Sequence, residues 1–401
     1  MKSSKVTALM FFKFLLFVFA TTLIFSGCEG YFGKKTSLDF IETPEFVIRD
    51  ISYVPIQPAL TNFIRPVDVL TGFDELLYVV DAATEEIIAL DESGRELGRM
   101  FVQGVRSVVQ DRRLNLLALG TITDTISSTV YEIACIYRIS LQGRNGYGIK
   151  QGAITNRIIH PFYFKSTFSS SDAEVRFNSI GILADNQYYV SRSGNATNQF
   201  SGPDDAILLF DAQDKFITPI NVSANGVFYR DYFKKPFGLT TRVQAPQLFA
   251  GGGKDFIYTS ISPDGVIKAQ YISFVETEFG ASYQPQGMTM NAEEADGFMT
   301  TPFRFDEPKG LAMSGDGTNL IFITDANKDS LYLFSLNGYE GVKPPPGYSS
   351  KKYIRTSFGG TGLGLMEFNA PMGVAYKNQV VYVADAGNGR VLRFKLTSDF
   401  D

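Results

Sequence analysis

Three stretches of the chain carry one thirteen-residue pattern without a gap: YVVDAATEEIIAL from Tyr78, FITDANKDSLYLF from Phe322 and YVADAGNGRVLRF from Tyr382. In each, an apolar run ends in an Asp, a short polar turn follows, and a second run alternates apolar with polar residues. The pattern predicts a β-hairpin. A lone hairpin cannot bury both faces, so its recurrence predicts a repeat architecture in which neighbouring units supply the core.

Each hairpin follows a strand entered through proline, at Pro66, Pro308 and Pro371, and the step from that Pro to the repeat Asp is 15, 17 and 14 residues. A fourth strand is predicted over 96–102 in the first unit and 353–358 in the second. Four short antiparallel strands make one blade of a propeller. Three weaker units fill the middle. One uses Val105, 114–120, 136–141 and 153–159. The next uses 179–184, 187–191, 206–211 and 216–220, and the last uses 237–242, 256–260 and 266–274. The count is six, or seven if 280–305 holds further strands. The last unit stops at Leu396 with three strands, and residues 46–51 form a spare apolar strand upstream. Supplying it to the last unit would close the ring and remove an exposed edge.

The last unit, with Pro371-Met372-Gly373-Val374-Ala375 and then Val381-Tyr382-Val383-Ala384-Asp385-Ala386-Gly387-Asn388-Gly389-Arg390-Val391, resembles the NHL repeat. The 308–334 unit matches well. The 66–90 unit matches in outline but lacks the Gly and the Arg. The resemblance implies an all-β, six-bladed β-propeller over 45–401. It implies little about activity, because NHL propellers include enzymes, binding proteins and scaffolds.

The first 27 residues read as a targeting segment. Lys2, Lys5 and Lys13 precede a run of about a dozen apolar or neutral residues, too short for the ~20 needed to span a membrane. Ser26-Gly27-Cys28 then resembles the lipobox of bacterial lipoproteins, with Phe25 where Leu is usual. This implies cleavage before Cys28, acylation of its thiol, a tether over 28–44, and attachment to a membrane of the bacterial cell envelope on its extracytoplasmic side. Removing residues 1–27 takes away three lysines and no acid, so the formal charge moves from −5 to −8. An acidic chain argues against nucleic acid as a partner. Only Cys135 remains, in an apolar run, so the mature chain forms no internal disulfide.

Asp81, Asp325 and Asp385 recur at one position, and the reading that fits strand ends is structural: each carboxylate caps amides of its turn. Arg390 is expected to be a cross-strand partner on its blade face. Gly251-Gly252-Gly253-Lys254 lacks P-loop spacing and leads into a strand, so it is a loop. His160 is the only histidine, which excludes a zinc site of two or three histidines and leaves a Ser-His-Asp triad only through that residue. No catalytic residue is assigned.

Cations recur at the residues leading into the predicted inner strands: Arg65, Arg106, Arg176, Lys235 and Lys309, joined by Asn178 and Asn369. On a propeller these positions gather on one face around the axis, where guanidinium groups could grip carboxylate, sulfate or phosphate. The aromatic insertion at 224–235, with Phe228, Tyr229, Tyr232 and Phe233, either meets a partner or covers its own blade. The expected function is therefore a lipid-anchored binding module for an envelope protein, peptide or glycan, with no cofactor. The alternative is a hydrolase resembling propeller lactonases, which hold one divalent ion such as calcium or zinc in the channel through Glu, Asn and Asp oxygens.

Overall fold

The structure, a computed structural model, describes Lys13 and residues 51–194, 204–246, 253–278, 280–344 and 350–400. The chain divides into two units, Met1–Ile48 and Arg49–Asp401, and every described residue but Lys13 belongs to the second. Apart from Lys13, the predicted signal peptide, Cys28, the 28–44 tether and residues 46–50 lie outside the described residues.

That second unit is a six-bladed propeller. Blade one is Pro66–Thr71, Leu77–Asp81, Glu86–Leu90 and Glu96–Phe101; blade two is Ser107–Gln110, Leu116–Ile126, Thr129–Ser140 and Ala153–Ile159. Blade three is Arg176–Ile182, Tyr188–Ser193, Ala206–Phe210 and Phe216–Pro219. Blade four is Pro236–Thr241, Phe256–Ser260, Ala269–Thr277 and Gly280–Pro285, extended outward by the hairpin Val222–Ala224 and Val227–Tyr229. Blade five is Pro308–Met313, Ile321–Asp325, Ser330–Phe334 and Phe358–Gly359. Blade six is Pro371–Lys377, Val380–Asp385, Arg390–Leu396 and, on its outer edge, Tyr53–Leu60. The 280–305 segment thus begins with the fourth strand of blade four and supplies no seventh blade among the described residues.

Closure comes from upstream of blade one, through a later segment than the predicted 46–51. Tyr53 pairs with Leu396 and Leu60 with Val391, antiparallel. The fourth strand of blade five is Phe358–Gly359, shorter than the predicted 353–358, because Ile354 pairs instead with Val342 in an isolated bridge.

The buried apolar residues fall into six clusters, one at each junction between neighbouring blades. Tyr78, Val80, Ile87 and Ala89 face blade two, whereas Leu77, Val79, Ile88 and Leu90 face blade six. Both faces of a blade are therefore covered. This explains why the second strands read as unbroken apolar runs, such as Leu77–Asp81, buried at every position. The inner strands of neighbouring blades touch all the way round.

Between blades two and three the junction also carries charge. Arg138 bonds Asp214 through Nε (2.8 Å) and Nη2 (2.6 Å) and Asp111 through Nη1 (2.6 Å). Both carboxylates are buried. Removing the guanidinium would strand two buried anions, a loss of about 3–5 kcal/mol. Arg138→Ala is accordingly expected to lower the unfolding free energy by that amount in urea titration, and a loss under about 1 kcal/mol would show that the carboxylates have other support.

Candidate functional site

The inner strands surround an axial cavity of about 820 Å³, a size that suits a small organic molecule. Its wall is mixed, with Val69, Leu70, Val108, Ile182, Leu311 and Val374 among the apolar residues and Thr71, Ser107, Gln110, Ser179, Thr240 and Thr241 among the polar ones. At the upper face, where the inner strands begin, it is lined by Arg65, Arg106, Arg176, Asn178 and Lys309. Lys235 and Asn369 are not among the lining residues. The amide of Lys235 donates to Asp205 (2.9 Å), and Asn369 is engaged through its backbone, donating to Asp385 (2.7 Å) and accepting from Gly387 (2.8 Å).

The repeat aspartates set the backbone that leads into this mouth. Asp81 accepts from the amides of Ile64 (2.6 Å), Arg65 (3.1 Å) and Ala83 (3.0 Å). Asp325 accepts from Asp306 (2.6 Å), Glu307 (3.0 Å), Asn327 and Lys328 (both 3.2 Å). Asp385 accepts from the Asn369 amide, from the Asn388 side chain and from Arg390 Nε (2.8 Å each for the last two). Each carboxylate thus ties its own turn to the residues just before the inner strand of the same blade. In blade three the position belongs to Arg192, which pairs in register with Phe177.

The four cations differ in their partners. Arg176 Nη1 donates to the carbonyls of Ala173 (2.6 Å) and Val175 (2.8 Å), and Lys309 pairs with Glu307 at 2.6 Å. Among the described residues, the guanidinium groups of Arg65 and Arg106 have no hydrogen-bond or ion-pair partner. Burial lowers the pKa of Arg106, and repulsion from Arg176 and Arg65 lowers it further. Glu132 and Glu85 act against that repulsion.

Asp68 is the residue that sequence reasoning missed. It lines the cavity below Arg65, at the bulge of the first inner strand. Its carboxylate accepts from the amides of Val69 (2.9 Å) and Val108 (3.0 Å), and burial raises its pKa to about 6 against hydrogen bonds from Ser107 and those amides. The signal was present: the repeat has Gly there in the other clear copies, as Gly310 and Gly373, and the first copy has Asp. A Cβ on Gly373 would stand 2.7 Å from the Asp68 Cα, and one on Gly310 would stand 2.8 Å from the Met372 carbonyl oxygen. Those blades meet backbone to backbone, whereas blade one meets blade two through a side chain.

Other candidates resolve into structure. His160 is buried, stacked on Phe177 and receiving a hydrogen bond from Arg192 Nε at 3.0 Å; burial, then the Arg192 charge, lowers its pKa to about 3. Cys135 is buried, and desolvation pushes its thiol up to about 12. Phe233 and Tyr232 pack into the core between blades three and four, while Val227, Phe228 and Tyr229 stay exposed on the outer hairpin. Among the described residues no three His, Cys, Asp or Glu side chains converge. Asp68 and Asp316 line different depths of the cavity, and Asp316, at the far mouth, accepts from the Thr318 amide (2.9 Å).

The fold and cavity define a six-bladed β-propeller with an arginine-lined axial site. No family model matches the chain, and no curated protein matches it in sequence. Solved propellers resemble it in fold. An aldose sugar dehydrogenase of Streptomyces coelicolor, in its PQQ-bound form, has a TM-score of 0.51 at 12% identity, covering 86% of this chain and 98% of the other. A gluconolactonase of Xanthomonas campestris has 0.46 at 9%, covering 87% and 96%, and virginiamycin B lyase of Staphylococcus aureus has 0.43 at 11%, covering 86% and 99%. At such identities the likeness is one of fold.

Asp68 gives the site a pH signature. Its folded-state pKa is raised, so the folded chain holds that proton more tightly than the unfolded one. The cost of ionising it is small below about pH 4 and nearly complete above about pH 6, amounting to about 3 kcal/mol in all. His160 acts in the opposite sense: its pKa is depressed, so its contribution is present above its unfolded pKa and is lost as pH falls. Comparing Asp68→Asn with wild type cancels the histidine. The variant is expected to gain about 2 kcal/mol relative to wild type between pH 4 and pH 7.5 in urea unfolding, and a flat difference would contradict the raised pKa.

Proposed function

We propose that this chain is a lipid-anchored, extracytoplasmic propeller that binds an anionic small molecule in its axial cavity. The observation that carries the reading is the pair of guanidinium groups, Arg65 and Arg106, without a partner among the described residues, at the mouth of a cavity whose wall carries apolar stretches. Crowded like charges raise the energy of the empty site, and a bound carboxylate, sulfate or phosphate would relieve it while accepting charge-assisted hydrogen bonds. The apolar stretches of the wall would take an organic body behind that head group. The enzymes among the structural neighbours share the fold alone. The NHL-type motif of three units and the lipobox at Cys28 complete the proposal and rest on sequence.

Anilinonaphthalene sulfonate, an apolar anion with its own fluorescence, is a direct probe. One site per chain is expected, weakened at least tenfold in Arg65→Ala/Arg106→Ala, since each charge-assisted bond is worth about 1.5–3 kcal/mol. The neutral N-phenylnaphthylamine should bind more weakly and ignore the double change. Equal binding of the sulfonate to variant and wild type would reject the anion site. For the anchor, Cys28→Ser is expected to move the protein from the membrane fraction to the soluble fraction, and an unchanged distribution would reject lipidation at that residue.

A further inference from the structure

The axial cavity is lined by charge of both signs at two depths, and among the described residues neither Arg65, Arg106 nor Asp68 forms an ion pair. Arg65 and Arg106 stand at the upper mouth. Asp68 lies three residues further along the strand from Arg65, roughly 10 Å at the rise of an extended chain. Among the described residues nothing joins the two sets. The charges that act on Arg106 are Arg176, Arg65, Glu132 and Glu85, and Asp68 is not among them. Asp68 in turn has amide and hydroxyl donors but, among the described residues, no cationic partner. An ionised carboxylate offers about four acceptor positions, and Val69, Val108 and Ser107 account for three. One position remains for a group inside the cavity.

The neighbours of Asp68 explain why it stays without a counter-ion. The bulge that displaces Val67 lets the Asp68 carboxylate reach across to blade two, and on its other side Gly373 of blade six brings only backbone. The remaining charged residues of the lining, Glu75, Asp316 and Lys377, are at the far end of the inner strands. A ligand that satisfies only the arginines would leave Asp68 desolvated and unmatched, the costly state for a buried charge. A ligand that also presents a cation at its depth would match both.

Resting on the anion reading above, we propose that the cavity takes a zwitterionic ligand: an acid group held by Arg65 and Arg106, an apolar spacer along the wall, and an ammonium group against Asp68. This narrows the ligand class from anions in general to amino acids or amino-acid-like molecules whose charges are well separated.

The test uses the intact protein at pH 8, with displacement of anilinonaphthalene sulfonate as the readout. The probes are 8-aminooctanoate, whose extended chain separates its charges by about the required distance, and octanoate, which lacks the ammonium group. Wild type is expected to be at least tenfold more sensitive to 8-aminooctanoate, and Asp68→Asn should abolish the preference while leaving octanoate at least as effective. Equal or weaker displacement by 8-aminooctanoate overturns the proposal on wild type alone, whatever the variant's stability. A preference that survives in Asp68→Asn overturns it as well, because the ammonium would then sit elsewhere. If octanoate displaces the dye and the amino compound does no better, the anion site stands and only the zwitterion falls. If neither displaces a dye whose binding ignores Arg65 and Arg106, both readings fall together.

Discussion

The constraint on which this molecule depends is that no blade is stable by itself. Each sheet is apolar on both faces, and each face is buried only because another blade lies against it. The six junction clusters are therefore one cooperative system closed on itself. Near the axis the demand becomes steric. Inner strands approach so closely that two of the clear repeats carry glycine where a methyl group would strike the next backbone. The cavity is what remains inside that packed ring.

Much of this was legible in the sequence, for physical reasons that vary along the chain. The hairpins at Tyr78, Phe322 and Tyr382 could be read because both faces are buried and the apolar runs are long. The middle blades were harder. Their strands carry long insertions, and the second and third strands of blade two extend to eleven and twelve residues. The closing strand was sought at 46–51 because that run lacks proline, whereas Tyr53–Leu60 holds Pro55 and Pro58. The ladder with Arg390–Leu396 instead selected a segment with two prolines and half-exposed positions, as an outer edge permits.

The candidate site was legible in part. Arg65, Arg106, Arg176 and Lys309 share a mouth because an inner strand can begin only at the rim of the axis. Lys235 stood at a similar place in sequence, but its backbone is held by Asp205 and it does not line the cavity. Asp68 was overlooked because periodicity gives no weight to a single departure from a repeat. Its meaning came from the depth at which the ring places it and from the absence of a compensating cation.

The seam in blade six has one more consequence. The Ser52 amide donates to Thr397 Oγ1 across 345 residues of chain, so the two ends of the propeller meet within 3.2 Å. A circular permutant that joins them there and opens the polypeptide at the Asn225-Gly226 turn, on the exposed hairpin of blade four, would retain every blade junction. Formation of blade six would become a local hairpin event, and the slow long-range step would shift to another part of the circle. The native starting point of the chain is thus one choice among several that the closed architecture tolerates.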